Sequence, residues 1–350
     1  MSISTQVLAK TIAELTAAGK GILAADESAG TLEKRLKSVN VASTEEARRD
    51  YRELLFSTPG LGGFISGVIL FEETLKQKSA AGAPLAELLE TQGIVPGIKV
   101  DKGTVLLSEF PGETVTQGLD GLAQRLSEYK QLGARFAKWR AVIHIGTGIP
   151  TPQAIASNAY ALARYAAICQ EQELVPIVEP EVLMDGDHTL ATSARITEDV
   201  LHAVFHALHQ QRVALEYMIL KPNMVEPGRT CPETATPQQV AQATLVCLRR
   251  TVPAAVPGIN FLSGGQSGAM ATANLQALNT TSEKQPWVLS FSYGRALQAS
   301  VLQVWRGEAA NKWIAQQELY KRARLNSAAT QGNYTAAMEN EEEQVLWQTK

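Results

Sequence analysis

The feature that most constrains this chain is the regular alternation of short apolar runs with longer helical patterns. Segments such as 157–172 and 237–252 carry helical periodicity between the runs. Repeated alternation of strand and helix predicts a parallel sheet. Eight such units in 350 residues favour closure into a (β/α)8 TIM barrel, an α/β fold, over an open sheet. The eight predicted strands lie in segments 21–26, 62–70, 97–101, 135–143, 174–181, 215–222, 258–263 and 286–292.

The sequence contains no low-complexity linker, and we therefore predict one barrel domain over residues 1–332. The segment 311–332 is typical of a last helix that ends at a glycine. Residues 333–350 are acidic and aperiodic, which predicts a mobile C-terminal arm.

Composition restricts the partners of the protein. A net charge of −3 argues against broad binding of nucleic acid, and no apolar run approaches the length of a membrane span. The start of the chain, "TQVLAKTIAEL", reads as an amphipathic helix and not as a signal peptide. Three cysteines (Cys169, Cys231, Cys247) match neither a zinc motif nor a disulfide framework. These observations favour a cytoplasmic protein.

Ionisable and hydroxyl side chains occur at the ends of most predicted strands. Active sites of parallel barrels form at the carboxyl ends of the strands, and residues two apart share a strand face. Any one of these residues is readily explained as a structural ion pair. The whole set is better explained by convergence on one cavity, because isolated buried charges are costly. The set comprises Asp26, Lys99, Lys138, Arg140, Glu179, Glu181, Lys221, Ser263 and Ser292.

The lysine at the end of the sixth run predicts nucleophilic chemistry. An amine becomes a nucleophile when burial or a neighbouring cation favours its neutral form, and Lys138 is the cation expected beside Lys221. Addition to a ketone and loss of water would give an iminium, an electron sink for making or breaking the adjacent carbon–carbon bond. The pair Glu179 and Glu181 would supply the acid, and Asp26 a base. Lys138 would balance the charge of the carboxylates.

Two anion sites are predicted on opposite sides of Lys221. The glycine-containing segments 261–268 and 290–297 follow the seventh and eighth strands, where barrels of this class commonly bind phosphate. On the other side, the segment 25–36 offers Ser28, Thr31 and Arg35, and Lys99 and Arg140 add positive charge. A ketone with a phosphate at both ends would fit.

Motifs in order along residues 5–335 resemble those of the class I fructose-1,6-bisphosphate aldolases. They include "LAADESAGTLEKRL", "GIKVDKG", "FAKWR", "VPIVEPE", "ILKPNM", "GINFLSGGQS" and "FSYGRALQAS". The resemblance implies a covalent Schiff base on Lys221, with no metal and no other cofactor. It assigns acid–base steps to Glu179 with Glu181 nearby, the C4 hydroxyl to Asp26, and support of charge to Lys138.

The same resemblance implies a substrate and an assembly. The substrate would be a phosphosugar, fructose 1,6-bisphosphate, cleaved reversibly to dihydroxyacetone phosphate and glyceraldehyde 3-phosphate in glycolysis and gluconeogenesis. The assembly would be a homotetramer. Substrate contacts are expected at one end from Ser263, Gly264, Gly265, Ser292, Gly294 and Arg295, and at the other from Ser28, Thr31, Arg35, Arg48, Lys99 and Arg140.

The C-terminus departs from the family pattern. Many animal members end in a tyrosine that assists proton exchange at C3 of the enamine, whereas this chain ends "LWQTK". Tyr334 matches a separate motif and is not given the role. We therefore predict that another group, Glu179, serves this step and that truncation of the tail has little effect on it.

Other readings of the sequence remain. His202, His206 and His209 share one helix face and would suit a metal-dependent mechanism, but no HExxH motif or carboxylate within the run supports a metal site. Trp139 is predicted to point out of the barrel toward the helices. A transaldolase-like Schiff-base enzyme acting on a different phosphosugar, and a non-catalytic phosphosugar-binding scaffold, are alternative functions.

Overall fold

The computed structural model describes residues 5–341. Within them, eight strands close into a parallel barrel in their order along the chain, and the last strand pairs back to the first. The predicted (β/α)8 barrel is confirmed. The strands are β1 (Gly21–Ala25), β2 (Ile65–Leu70), β3 (Val95–Lys99), β6 (Phe136–Ile143), β7 (Val175–Val182), β8 (Ile219–Leu220), β9 (Gly258–Phe261) and β10 (Val288–Tyr293).

A short antiparallel pair that the sequence did not predict lies beside the barrel. It consists of β4 (Thr104–Leu106) and β5 (Thr114–Thr116). The hydroxyl of Thr116 donates a hydrogen bond of 2.8 Å to the carbonyl of Arg140 at the upper end of β6. The pair therefore braces one rim of the barrel.

Helices fill the connections between the strands. Six of them begin at a serine or threonine whose hydroxyl accepts the N–H three residues on, which satisfies a donor that the first turn leaves free. The helices are α1 (Thr5–Leu15), α2 (Ala29–Lys37), α3 (Glu45–Phe56), α4 (Glu72–Lys76), α5 (Leu85–Glu90), α6 (Leu122–Gln131), α7 (Pro152–Glu171), α8 (Leu190–Gln210), α9 (Pro237–Thr251), α10 (Gly268–Asn279), α11 (Arg295–Trp305) and α12 (Lys312–Thr330).

Side chains that point into the barrel change character along each strand. Near the N-terminal ends they are apolar, and the buried face of α1 packs against them. Toward the carboxyl ends the same inward rows continue as Ala24 to Asp26 and Ile177 to Glu179. The N-terminal end of the barrel is therefore filled by a buried apolar cluster, which we call the plug. The carboxyl end carries the charged cleft. The plug contains Leu8, Ile12, Leu15, Ile22, Ala24, Ile69, Val95, Phe136, Val175, Ile177 and Ile219.

The second apolar cluster lies between the barrel and the helices. Trp139, on β6, is fully buried there, and its ring centroid is 5.5 Å from that of Tyr165 on α7. The predicted outward orientation of Trp139 is thus confirmed, and it leaves Lys138 and Arg140 on the inward face of the same strand.

The first part of the predicted C-terminal arm packs against α12. Tyr334 is buried, and its hydroxyl lies 2.9 Å from Oε1 of Glu339. Arg322 of α12 pairs with the same carboxylate at 2.5 Å, and Lys321 donates to the carbonyl of Glu339 at 2.7 Å. The remainder of the predicted arm, residues 342–350, lies outside the described residues. Within residues 5–341, none of the helices has the length and apolar character to cross a bilayer.

Candidate active site

A cleft of about 340 Å³ opens at the carboxyl ends of the barrel strands. It gathers every residue that the sequence predicted for catalysis or substrate binding except Arg48. Those residues come from β3, β6, β7 and β10, from the segments that follow β1, β8, β9 and β10, and from α2 and α11. Chain positions as far apart as Asp26 and Arg295 thus line one cavity, as the convergence argument required.

Larger hollows occur on the outside of the barrel but lack comparable chemistry. One of about 590 Å³ lies between the segment 146–156 and α8, and one of about 400 Å³ lies between α9 and α10. In the second, Arg249 and Glu283 pair with each other. Size alone therefore does not identify the site, whereas the concentration of buried charges does.

The centre of the cleft is a chain of ion pairs that links four strands. Nζ of Lys221 lies 3.1 Å from Oε1 of Glu179, whose Oε2 lies 3.2 Å from Nζ of Lys138. Nζ of Lys138 also lies 2.6 Å from Oδ2 of Asp26. Lys221, Glu179 and Lys138 are each less than 5% exposed. The carboxylate of Glu179 therefore bridges two buried ammonium groups.

The charged groups in this series of ion pairs stabilise one another's ionised forms. Burial alone would raise the pKa of Asp26, but attraction to Lys138 and then to Lys221 outweighs it and holds that pKa well below its usual range. Burial alone would lower the pKa of Lys138, and the attraction of Asp26 and Glu179 raises it instead. Asp26 is thus a carboxylate and Lys138 an ammonium near neutral pH.

Further pairs line the wall formed by β3, β6 and β7. Arg140 binds Glu181 through Nε, and Lys99 lies 2.7 Å from Oδ1 of Asp101. Burial lowers the pKa of Arg140, and the carboxylate of Glu181 more than reverses this effect and raises it. The sequence placed Glu179 and Glu181 together as an acid pair; in the structure each is compensated by its own cations.

The loop after β9 and the start of α11 form one end of the cleft. Gly264 and Gly265 have φ of +55° and +97°, in the left-handed region that glycine tolerates best. Beside them, the buried Oγ of Ser292 has no hydrogen-bond partner within the described part of the chain. Arg295 begins α11 directly after Gly294. Backbone N–H groups, a free hydroxyl and a guanidinium are suited to an anion.

A second part of the cleft is built on α2, beside the start of α11. The hydroxyls of Ser28 and Thr31 are 3.1 Å apart, and Arg35 pairs with Glu27. Glu27 also lines the cleft and is a residue that the sequence analysis missed, because it follows β1 and no strand-face argument applies to it. Its carboxylate also binds the buried Arg52 at 2.6 Å and thereby fixes Arg35 at the rim. The sequence feature that could have identified Glu27 is its position directly after Asp26, at the end of the first strand.

Arg48 lies apart from the residues of the cleft. Its guanidinium makes two hydrogen bonds to Glu73, of 2.8 and 2.6 Å, and one of 2.9 Å to the carbonyl of Ser43. This pairing, which a motif cannot reveal, holds the partly buried side chain of Arg48 between α3 and α4.

The histidines of α8 are exposed. His202 lies 4.0 Å from Glu198, and the Nε2 of His206 bonds to Gln210. Residues 5–341 contain no group of three or more histidine, cysteine, aspartate or glutamate side chains arranged to hold a metal ion.

Comparisons with known proteins agree with the motifs. The family model described as "Fructose-bisphosphate aldolase class-I" matches residues 7–350. A probable fructose-bisphosphate aldolase class 1 of Xylella fastidiosa is 53% identical over 333 residues, covering 95% of this chain and 99% of that protein. The cytosolic fructose-bisphosphate aldolase 6 of Arabidopsis thaliana is 57% identical, with coverage of 90% and 88%.

A solved structure shows the same similarity in three dimensions. Fructose-bisphosphate aldolase from Plasmodium falciparum, crystallised with TRAP and a small-molecule inhibitor, superposes with a TM-score of 0.93 at 53% identity, covering 94% of this chain and 95% of that one. The chain therefore belongs to the class-I fructose-bisphosphate aldolase family, whose members are carbon–carbon lyases acting on phosphosugars.

Proposed function

We propose that Lys221 forms the Schiff base through which this aldolase cleaves fructose 1,6-bisphosphate. The observation that carries the proposal is the 3.1 Å contact between Nζ of Lys221 and Oε1 of Glu179 inside the buried centre of the cleft. Transfer of one proton along this contact converts the ammonium to a nucleophilic amine and the carboxylate to a carboxylic acid. The contact between Lys221 and Glu179 thus supplies both the nucleophilic amine and the acid that the reaction with the ketone needs.

The following steps use the same groups. The amine of Lys221 adds to the C2 carbonyl, and Glu179 returns its proton as the hydroxyl leaves as water, which gives the iminium. Asp26 then takes the proton of the C4 hydroxyl. The C3–C4 bond breaks, glyceraldehyde 3-phosphate leaves, and the electron pair enters the iminium to form an enamine. Lys138 stabilises both carboxylates throughout.

Proton transfer to C3 of the enamine completes the cycle. We assign it to Glu179, which first regains a proton from Asp26 through Lys138, the ammonium that contacts both carboxylates. The carboxyl group of Glu179 contacts Nζ of Lys221 and so lies near the carbon bonded to that nitrogen. Hydrolysis of the resulting iminium releases dihydroxyacetone phosphate. The reverse sequence is condensation.

The two phosphates of the substrate would occupy opposite ends of the cleft. The carbon joined to Lys221 is C2, so the C1 phosphate belongs at the nearer end, and β9 pairs directly with β8. That end holds Ser263, Gly264, Gly265, Ser292, Gly294 and Arg295, and the C6 phosphate would contact Ser28, Thr31, Arg35, Lys99 and Arg140. Arg48 would contact it only after leaving Glu73.

We further propose a metal-free enzyme that works as a homotetramer in cytosolic glycolysis and gluconeogenesis. Support comes from the family and from the name of the Arabidopsis relative, which is called cytosolic. Light scattering coupled to gel filtration would test the assembly, and a mass well below four chains would contradict it.

Borohydride trapping tests the central proposal. The protein is incubated with dihydroxyacetone phosphate and excess EDTA, reduced, digested and examined by peptide mass spectrometry. We expect one stable adduct on Lys221, full activity in EDTA, and no adduct in the Lys221→Met variant. Activity lost to the chelator, or an adduct on another lysine, would contradict the proposed mechanism.

A further inference from the structure

An arginine outside the predicted set reaches the C1-phosphate end of the cleft. Arg229 lies in the segment after β8, where the backbone pairs with the segment after β7. Its N–H donates to the carbonyl of Met184 at 2.8 Å, and the N–H of Thr230 donates to that of Gly186 at 3.0 Å. These bonds fix the position from which the Arg229 side chain extends.

The guanidinium of Arg229 lies on the glycine loop after β9. Its Nη2 donates a hydrogen bond of 3.0 Å to the carbonyl of Gly264. A Cβ placed on Gly265 would lie 1.7 Å from Nη2 of Arg229 and 3.1 Å from Nη2 of Arg295. The two guanidinium groups are therefore held close together beside one glycine.

The charge of Arg229 is poorly compensated. Its carboxylate partner is Asp185, with Nε 3.7 Å from Oδ1 and with side chains that are 42% and 65% exposed. Such an exposed and distant pair contributes little, so the guanidinium keeps most of its attraction for another anion.

Arg295 experiences the same excess of positive charge. Burial lowers the pKa of its guanidinium, and the positive charges of Arg35 and Arg229 lower it further. Arg229 and Arg295 repel each other at close range, and a bound dianion relieves that repulsion. The arrangement is therefore that of an incomplete ion cluster.

We propose that Arg229 is a further substrate-binding residue, which contacts the C1 phosphate together with Arg295. This inference rests on the proposed function, because it needs a phosphate on the loop after β9. Arg229 acts on binding and not on the covalent steps at Lys221, so its loss raises KM and leaves kcat nearly unchanged.

Arg229→Gln is compared with Arg195→Gln, a matched control. Arg195 lies on the exposed surface of α8, where it pairs with Asp199 at 3.0 Å, and its replacement removes the same charge away from the cleft. Steady-state kinetics are measured with fructose 1,6-bisphosphate and with fructose 1-phosphate. Both carry the C1 phosphate, but only the first carries the C6 phosphate.

We expect Arg229→Gln to raise KM by about 10- to 100-fold for both substrates, the range of a lost charge-assisted hydrogen bond. Arg195→Gln should change KM less than 2-fold, and Arg229→Lys should recover part of the loss. An unchanged KM in Arg229→Gln would overturn the proposal. So would an increase confined to the bisphosphate, which would place Arg229 at the C6 end, or a loss confined to kcat, which would indicate a structural role.

Borohydride trapping separates this inference from the proposed function. If the native enzyme forms no Lys221 adduct with dihydroxyacetone phosphate, the proposed mechanism fails. If it does, and Arg229→Gln reaches the same adduct yield only at about tenfold more ligand, the binding role stands. Equal yields at every ligand concentration would overturn the Arg229 assignment alone.

Discussion

At the scale of single residues, Glu179 occupies the decisive position in the cleft. Its two oxygens contact Lys221 and Lys138 at 3.1 and 3.2 Å, and it is 4% exposed. In the proposed mechanism this carboxylate accepts the proton that activates the amine, and in the structure it balances buried positive charge. The residue type and its strand face were predictable from the motif. The bridging contact was not, since it depends on how β6, β7 and β8 are staggered in the closed barrel.

Replacing this carboxylate tests the bridging role. In Glu179→Gln, the amide cannot take the proton from Lys221, and we expect kcat to fall by about 10²- to 10⁴-fold. Glu179→Asp keeps the charge on a shorter side chain and should retain more activity. Steady-state assays, with circular dichroism to verify folding, give the measurement. A Gln variant within threefold of native kcat would refute the assignment.

A second buried carboxylate, Glu226, gives a pH dependence of stability. Burial raises its pKa to about 7 from 4.5, against the hydrogen bond that it accepts from Asn274. The folded protein thus holds this proton between those two values while the unfolded chain releases it. The free energy of unfolding therefore falls as pH rises from 4.5 to 7, by about 3 kcal/mol for this group.

Glu226→Gln removes that dependence because an amide does not titrate. Urea denaturation at pH 5 and pH 8 should show the variant gaining stability relative to the native protein by about 2–3 kcal/mol at the higher pH. The exposed Glu87→Gln serves as control and should follow the native curve. Parallel curves for native protein and Glu226→Gln would show that Glu226 does not carry the titration.

At the scale of elements, the sequence predicted what is periodic and missed what is held by tertiary contacts. The eight strands and the helices around them follow from apolar alternation. The pair β4–β5 was missed because every residue of β4 is exposed, with Leu106 75% exposed, so the segment has no apolar alternation. The contacts of Glu27 and Arg229 were missed for a related reason: Glu27 binds Arg52 of α3 and Arg229 binds the loop after β9, and both contacts depend on tertiary packing.

The glycine loop after β9 provides an element-scale prediction. Gly265 combines a φ of +97° with the close approach of Arg229, so Gly265→Ala should displace the guanidinium and raise KM for fructose 1,6-bisphosphate at least tenfold. Gly82→Ala is the control, since Gly82 has a φ of +88° but nothing within 4 Å of an added Cβ. Equal KM values in the two variants would contradict the proposed packing.

The C-terminal segment gives another prediction at this scale. Glu339 is held by Arg322 and Tyr334, so a chain that stops at residue 341 keeps these contacts. Since we assign the proton step at C3 to Glu179, we expect deletion of residues 342–350 to change exchange of the C3 proton of dihydroxyacetone phosphate less than fivefold. Tritium or deuterium release is the assay. A collapse of exchange with intact folding would assign the step to the deleted residues.

At the scale of the whole molecule, the apolar residues that stabilise the barrel and the charged residues of the cleft lie at opposite ends of the barrel axis. The half of the barrel at the N-terminal ends of the strands is apolar, and α1 covers it. Glu14, near the end of α1, forms an ion pair of 2.5 Å with Arg135. The upper half carries the charges of the cleft. Charges concentrated at one end of a barrel require a large dry interior elsewhere, because they add little net stability of their own. The plug at the bottom supplies that burial.

This division predicts that the two ends respond differently to mutation. Leu15 is fully buried in the plug, where Leu15→Ala removes packing and leaves a cavity. We expect the free energy of unfolding to drop by about 2–5 kcal/mol, while kcat of the folded fraction stays within twofold of native. Denaturant melts and assays at 15 °C measure the two quantities on one preparation. A matching loss of kcat would mean that the plug positions the cleft above it, and the separation of the two ends would have to be abandoned.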